Sequence, residues 1–292
     1  MNKFNLPVII ILAFVTLAFK ADKKAYVLYD IDGKQSNYSK LIKEASKADI
    51  VFYGELHNDP ISHWLELEIT RDLMKVKGDS LILGAEMFER DDQLIINEYL
   101  DNLYTATRFE AEVKLWKNYN TDYKPLMELA RENDLSFIAT NIPRRYASMV
   151  SKSGFEILDT LSDRAKGYIA PLPVLYDPEL KGYKDMLNMM GGREGMSHVN
   201  NNLPKAQAIK DATMAHSILE HWSPGTTFIH YNGSYHSRNF EGIVWYLLQA
   251  RPDLRILTVE TVLQKDNSKL EDENTGIANF VVCVPESMTK TY

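Results

Sequence analysis

Two stretches decide how this chain is read: Asp49-Ile50-Val51-Phe52-Tyr53-Gly54-Glu55-Leu56-His57 and Thr226-Thr227-Phe228-Ile229-His230-Tyr231-Asn232-Gly233-Ser234-Tyr235-His236. Each is an apolar run with the character of a β-strand, followed at once by a Gly-x-x-His. The two lie far apart in the sequence. In an open α/β sheet the carboxyl ends of strands are where ligands bind. Two histidines delivered to that edge from distant strands therefore predict one shared site.

On either side of these stretches, short apolar runs alternate with helical patterns. Strands are expected at Ala25–Tyr29, Asp49–Tyr53, Ser80–Ala85, Leu135–Ala139, Thr226–Tyr231, Leu254–Val259 and Asn279–Val284. Between them, apolar residues recur at helical spacing, as in Trp64, Leu67, Leu73 and Met74, or Ile243, Val244, Leu247 and Leu248. Strands that are apolar throughout, alternating with helices, predict an α/β fold with a mostly parallel sheet covered on both faces. Asn58-Asp59-Pro60 supplies the capping chemistry to open the helix after the first motif. The segment from about 145 to 204 has no strand pattern and reads as a helical insertion or lid. Its Met186, Met189, Met190 and Met196 suit an adaptable apolar surface.

The residues that follow each strand are polar. Glu55 and His57 follow the second strand, Glu86 the third, Asn141 and Arg144 the fourth, and Asn232 and His236 the fifth. Imidazoles, carboxylates and an arginine converging at one edge describe a polar pocket. His57, His236, Glu55 and Glu86 are a donor set suited to a divalent metal such as zinc, manganese or iron. Either glutamate also suits a general base acting on metal-bound water. On the helix starting near Pro204, Gln207, Asp211 and Met214 share a face, so Gln207 and Asp211 are expected to orient the pocket's side chains. His63 follows His57 by six residues, which is not a helical ligand spacing, and His230 reads as a core residue.

Together these motifs resemble the ChaN-like haem-binding uptake family, related to the Tiki and TraB proteins and more distantly to the erythromycin esterases. The matching segments are Gly54–His57, Ala85–Phe88, Asn141–Arg145, Ala206-Gln207 with Asp211 and Met214, and Asn232–His236; the likeness runs from Val51 to Leu248. The resemblance implies an α/β fold with a helical lid and an exported, iron-linked protein that binds haem through a tyrosine helped by a histidine. Tyrosinate is an accepted axial ligand of haem iron. On that basis Tyr176, Tyr183 and His198 in the insertion are the expected haem-binding residues, while Tyr235 lies inside the second motif. A homodimer is a further expectation. The Tiki branch implies an alternative, a metal-dependent hydrolase. There His57, His236, Glu55 and Glu86 hold or serve the metal, with Arg144 stabilising developing negative charge.

Bulk properties set the remaining bounds. Net charge is −7 and no long basic run occurs, which argues against nucleic acid as a partner. Asn2 and Lys3 precede an apolar stretch from Leu6 to Phe19, shorter than the roughly 20 residues a membrane span needs. With small residues at Ala18 and Ala21 this reads as a secretory signal peptide over residues 1–21, leaving 22–292 as one domain. Bacterial ChaN proteins are often lipoproteins, but no cysteine follows the apolar stretch, so no lipid anchor is expected. The single cysteine, Cys283, lies in an apolar run and reads as a buried strand residue.

Overall fold

The computed structural model describes residues 23–191 and 202–292. The expected signal peptide, His198 and Met196 lie outside the described residues. Among the described residues seven strands form one sheet: β1 (Val27–Asp30), β2 (Ile50–Glu55), β3 (Leu81–Glu89), β4 (Phe137–Asn141), β5 (Thr227–Gly233), β6 (Ile256–Gln264) and β7 (Phe280–Pro285). Their order is β1-β7-β6-β2-β5-β3-β4. Only β1 runs antiparallel, against β7; the other pairings are parallel. Each strand falls on one of the seven apolar runs. β3 and β6 continue past the expected ends at Ala85 and Val259, because Glu86 and Glu260 are themselves strand residues.

Both faces of the sheet are covered, so the central strands are buried along their length. Val51 and Tyr53 of β2 pack into one hydrophobic cluster and Ile50 and Phe52 into another. Ile229 and Tyr231 of β5 join the first cluster and Phe228 the second. This period-two alternation is what a pleated strand imposes. A smaller cluster around Val27, Val281 and Cys283 closes the antiparallel edge.

The helix Pro60–Lys77 follows β2 and covers the first face with Leu65, Ile69 and Leu73. Asp59 accepts hydrogen bonds from the Ile61 and Ser62 N–H groups, both at 3.1 Å, with Pro60 opening the first turn. Of the expected apolar stripe only Leu73 is fully buried, and Trp64 is 49% exposed. The helix is rotated from that stripe because its inner face carries Ser62, His63, Glu66 and Thr70.

The helix Ile243–Ala250 follows β5 and covers the second face. β2 and β5 are adjacent in the sheet, yet the chain leaves them toward opposite faces. That divergence opens a crevice at their carboxyl ends, the topological switch point at which α/β sheets bind ligands. Between β4 and β5 the described residues form helices at Arg144–Ser153, Asp163–Lys166, Lys181–Gly191 and Leu203–His221. The last packs on the second face and aims Gln207 and Asp211 at the strand ends.

Candidate functional site

Sheet register brings the two motifs together. Glu55 pairs with Gly233, and Gly54 sits between Asn232 and Glu260. Both glycines sit at close approaches. A Cβ on Gly54 would lie 2.0 Å from Glu260 Oε2, and a Cβ on Gly233 would lie 2.8 Å from His57 Nε2 and 3.5 Å from Glu86 Oε2. The His57 ring thus rests on the bare backbone of the opposite motif.

His57 is held at one nitrogen: Nδ1 lies 2.6 Å from Glu55 Oε1, which also accepts from the Tyr123 hydroxyl at 2.7 Å. Its ring stands edge-on to Trp116, centroids 4.8 Å apart. Its side chain is 35% exposed, so the imidazole faces the crevice. Burial pulls its pKa down, but the Glu55 hydrogen bond and the charge of Glu86 outweigh that and hold it above its usual value.

His236 is held at both nitrogens. Nε2 lies 3.1 Å from Glu86 Oε1, and Nδ1 is in short contact with Asp211 Oδ1. The other oxygen of Glu86 accepts from the Gly233 N–H at 2.8 Å, and the other oxygen of Asp211 accepts from the Tyr183 hydroxyl at 2.8 Å. Gln207 Nε2 lies 3.0 Å from the ring. Burial opposes protonation, yet the charges of Glu86 and Asp211 push His236 up to about 10. Burial likewise opposes ionisation of Glu86, but His236 holds its carboxyl far below the usual range. Burial raises the Asp211 carboxyl, against the opposing pull of His236 and the Tyr183 hydroxyl. The pocket floor thus favours a protonated His236 ring between Glu86 and Asp211.

Supporting contacts extend beneath. Asn141 Nδ2 donates to the Glu86 carbonyl at 3.0 Å. Asn232, fully buried, donates to Gly233 O and to Ser237 Oγ, and Ser237 donates to Glu260 Oε1 at 2.5 Å. His230 is a buried strand residue whose ring nitrogens meet Thr140 and Asn232. Burial lowers it to about 4 and keeps it neutral.

Above this floor lies a cleft of about 1460 Å³. Glu55, His57, Glu86, Asn141, Arg144, Gln207 and His236 all line it. Met87, Trp116, Ile142 and Met186 supply apolar wall, and Lys114, Lys117, Arg144 and Lys210 supply cations. Tyr235 and Tyr292, respectively 53% and 60% exposed, are the tyrosines on its lining. Tyr183 is buried with its hydroxyl committed to Asp211, and Tyr176 packs against it with centroids 5.7 Å apart; neither lines the cleft. Asn232 and Asp211 lie under the floor.

The four expected metal ligands do not form one donor set. Both nitrogens of His236 face carboxylates, and Glu55 lies at the nitrogen of His57 remote from Glu86. Among the described residues, the group with metal-ligand spacing is Glu55, His63 and Glu66. Sequence reading sets His63 aside because its six-residue step from His57 is not a helical ligand spacing, and it passes over Glu66, Asp122, Tyr123 and Trp116. The available signal was the three-residue step from His63 to Glu66, which puts both on one helical face.

A family described as haem-binding uptake, Tiki superfamily, ChaN matches residues 41–247. No curated protein matches the chain. Among solved structures, ChaN of Campylobacter jejuni, described with cofacially bound haem, is 16% identical with a TM-score of 0.68. That match covers 89% of this chain and 97% of the Campylobacter chain. A Bacillus cereus protein is 12% identical over 84% of this chain and 90% of its own, with a TM-score of 0.47. The fold is that of ChaN, and the matched span holds β2 through β5 with every residue of the cleft floor: the chain belongs to the ChaN haem-binding uptake family of the Tiki superfamily.

Proposed function

We propose that this chain binds haem in the cleft at the carboxyl ends of β2, β5 and β3, as an exported protein serving iron uptake. The observation that carries the reading is the cleft itself. At about 1460 Å³ it exceeds the roughly 300–1,000 Å³ of ordinary small-molecule sites, which suits a macrocycle. Haem needs apolar surface for its ring, cations for its propionates and a donor for its iron. Trp116, Met87, Ile142 and Met186 offer the first, and Arg144 and Lys210 the second. For the third, Tyr235 fits better than Tyr176 or Tyr183, because it lines the cleft and they do not. Bound haem would supply ferric iron, which a phenolate oxygen ligates well. His57, the exposed imidazole of the floor, is the companion histidine. A second copy of the chain covering the open side of the cleft completes the proposal.

The test is haemin titration followed by absorbance and by tryptophan fluorescence. The reading expects a saturable Soret shift, with Trp116→Phe removing most of the fluorescence quenching. Arg144→Ala combined with Lys210→Ala should weaken binding about tenfold or more, as expected when charge-assisted contacts are lost. A linear, unsaturable absorbance change would sink the proposal. Export is tested by fractionation: a mature chain found only in the cytosol would remove that part.

A further inference from the structure

Behind the cleft floor, between β2 and the helix Pro60–Lys77, lies a second cluster that the haem reading does not use. Glu55, His63 and Glu66 are all buried, and one donor atom from each falls within 4.8 Å of the others. His63 Nδ1 lies 3.2 Å from Glu66 Oε2 and 3.5 Å from Glu55 Oε2. Three features suit this cluster to an ion.

The first is orphaned donors. Glu55 Oε2 and Glu66 Oε1 are buried without a hydrogen-bond partner, on side chains with no exposed surface. Glu55 Oε2 is aimed into the cluster, while its other oxygen is occupied by His57 and Tyr123. Buried carboxylate oxygens are costly to leave unpaired.

The second is the orientation of His63. Its Nε2 lies 3.1 Å from the His57 carbonyl and 3.4 Å from Asp122 Oδ2, two acceptors that suit an N–H at that nitrogen. With an ion bound between them, Nδ1 would offer its lone pair to it beside the two carboxylates it faces. A metal-bound histidine makes this same pairing, donating its far N–H to a carbonyl or carboxylate. Asn118 Nδ2 fixes both acceptors, at 2.9 Å to the His57 carbonyl and 2.7 Å to Asp122.

The third is distance. Ligands about 2.0–2.1 Å from a tetrahedral ion stand about 3.3 Å apart, and the spacings of 3.2 and 3.5 Å match that edge. Among the described residues no lysine or arginine pairs with Glu55, Glu66 or Asp122, so no such cation answers the negative charge of the cluster.

We propose that Glu55, His63 and Glu66 bind one divalent transition-metal cation of the zinc or manganese class, buried one carboxylate behind the cleft. A mixed imidazole and carboxylate set selects ions of this kind. Glu55 is shared between the two sites: one oxygen faces the ion and the other anchors His57. The ion is thus a positioning element for His57. It is distinct from the haem iron, and its binding does not depend on haem.

The test uses the intact chain, stripped with chelator and dialysed against ZnCl₂ or MnCl₂, with metal content measured by mass spectrometry. One ion per chain is expected. Glu66→Gln and His63→Phe should each weaken its binding by a hundredfold or more, and His236→Ala should retain it. Circular dichroism reports whether each variant folds. Anomalous diffraction on the unmutated, metal-loaded protein needs no variant and should place the ion among these three side chains. An ion found in the cleft instead, no stoichiometric ion at all, or full retention by folded Glu66→Gln would overturn the proposal. The last two results would assign the space to a shared proton. Haemin titration of the same preparations keeps this outcome separate from that of the haem proposal.

Discussion

The two Gly-x-x-His segments share a pattern and differ in what they do with their histidine. His57 is anchored at one nitrogen and shows its other edge to the cleft. His236 is clamped at both and buried. The difference comes from what stands opposite each ring. His57 faces the bare backbone of Gly233 and the edge of Trp116, which leave it open on one side. His236 is met by Glu86 from β3 and Asp211 from the helix Leu203–His221, two elements the motif itself does not contain. One motif thus delivers an imidazole open to the cleft and the other an imidazole clamped between carboxylates. The local sequence pattern cannot distinguish them, because the distinction is made by distant partners.

The largest expected effect breaks this contrast directly. His236→Ala leaves Glu86 and Asp211 buried without their cation and should cost about 3–5 kcal/mol, the range for breaking a buried ion pair. His57→Ala leaves Glu55 its Tyr123 hydrogen bond and should cost only about 1–2 kcal/mol. Urea denaturation of both variants checks this, and equal losses would remove the distinction.

The pH dependence follows from the same clamp. The folded pKa of His236 lies near 10, above the unfolded value of about 6.5. Its contribution is therefore complete below about pH 6.5 and is lost as pH rises through about 10. Glu86 runs the other way: its folded pKa is depressed, so its contribution is lost on acidification below the ordinary carboxylate range. Nitrogen NMR of the imidazoles should find His236 doubly protonated at pH 8. A neutral His236 ring at that pH would contradict the clamp.

Glycine substitutions sharpen the comparison. Gly54→Ala forces a Cβ onto the buried carboxylate of Glu260, whereas Gly233→Ala presses on the more exposed His57 ring, which can swing away. Overpacking costs about 1–3 kcal/mol; Gly54→Ala should fall at or above the top of that range and Gly233→Ala near the bottom. Gly233→Ala should still perturb the NMR signals of the His57 ring. If thermal melts rank the two variants in reverse, the assigned contacts are wrong.

The strands were legible in sequence for a physical reason. A strand buried on both faces is apolar along its whole length, and runs such as Ile50–Tyr53 and Phe280–Val284 announce themselves. Their order was not legible, since the pairing of β2 with β5 rests on contacts across most of the chain. Glu55, His57, Glu86 and His236 were visible because they sit at strand ends. Glu66 and His63 were hidden because they occupy the core-facing side of a helix, where apolar periodicity predicts leucine. The same polar residues explain why Trp64, expected inside, is largely outside. Tyr183 carried the right chemistry for an iron ligand, and only its hydrogen bond to Asp211 shows that its hydroxyl is already engaged.

The smallest expected effect is therefore the most telling. Tyr183→Phe removes one hydrogen bond under the floor and should barely change haemin affinity, whereas Tyr235→Phe removes a phenol on the cleft. The direct test is haemin titration of the unmutated chain, Tyr235→Phe and Tyr183→Phe side by side. Saturable binding is expected of the first and third, and at least tenfold weaker binding with an altered visible spectrum of Tyr235→Phe. Unchanged binding by Tyr235→Phe with loss in Tyr183→Phe, or no saturable binding by any of the three, would contradict it.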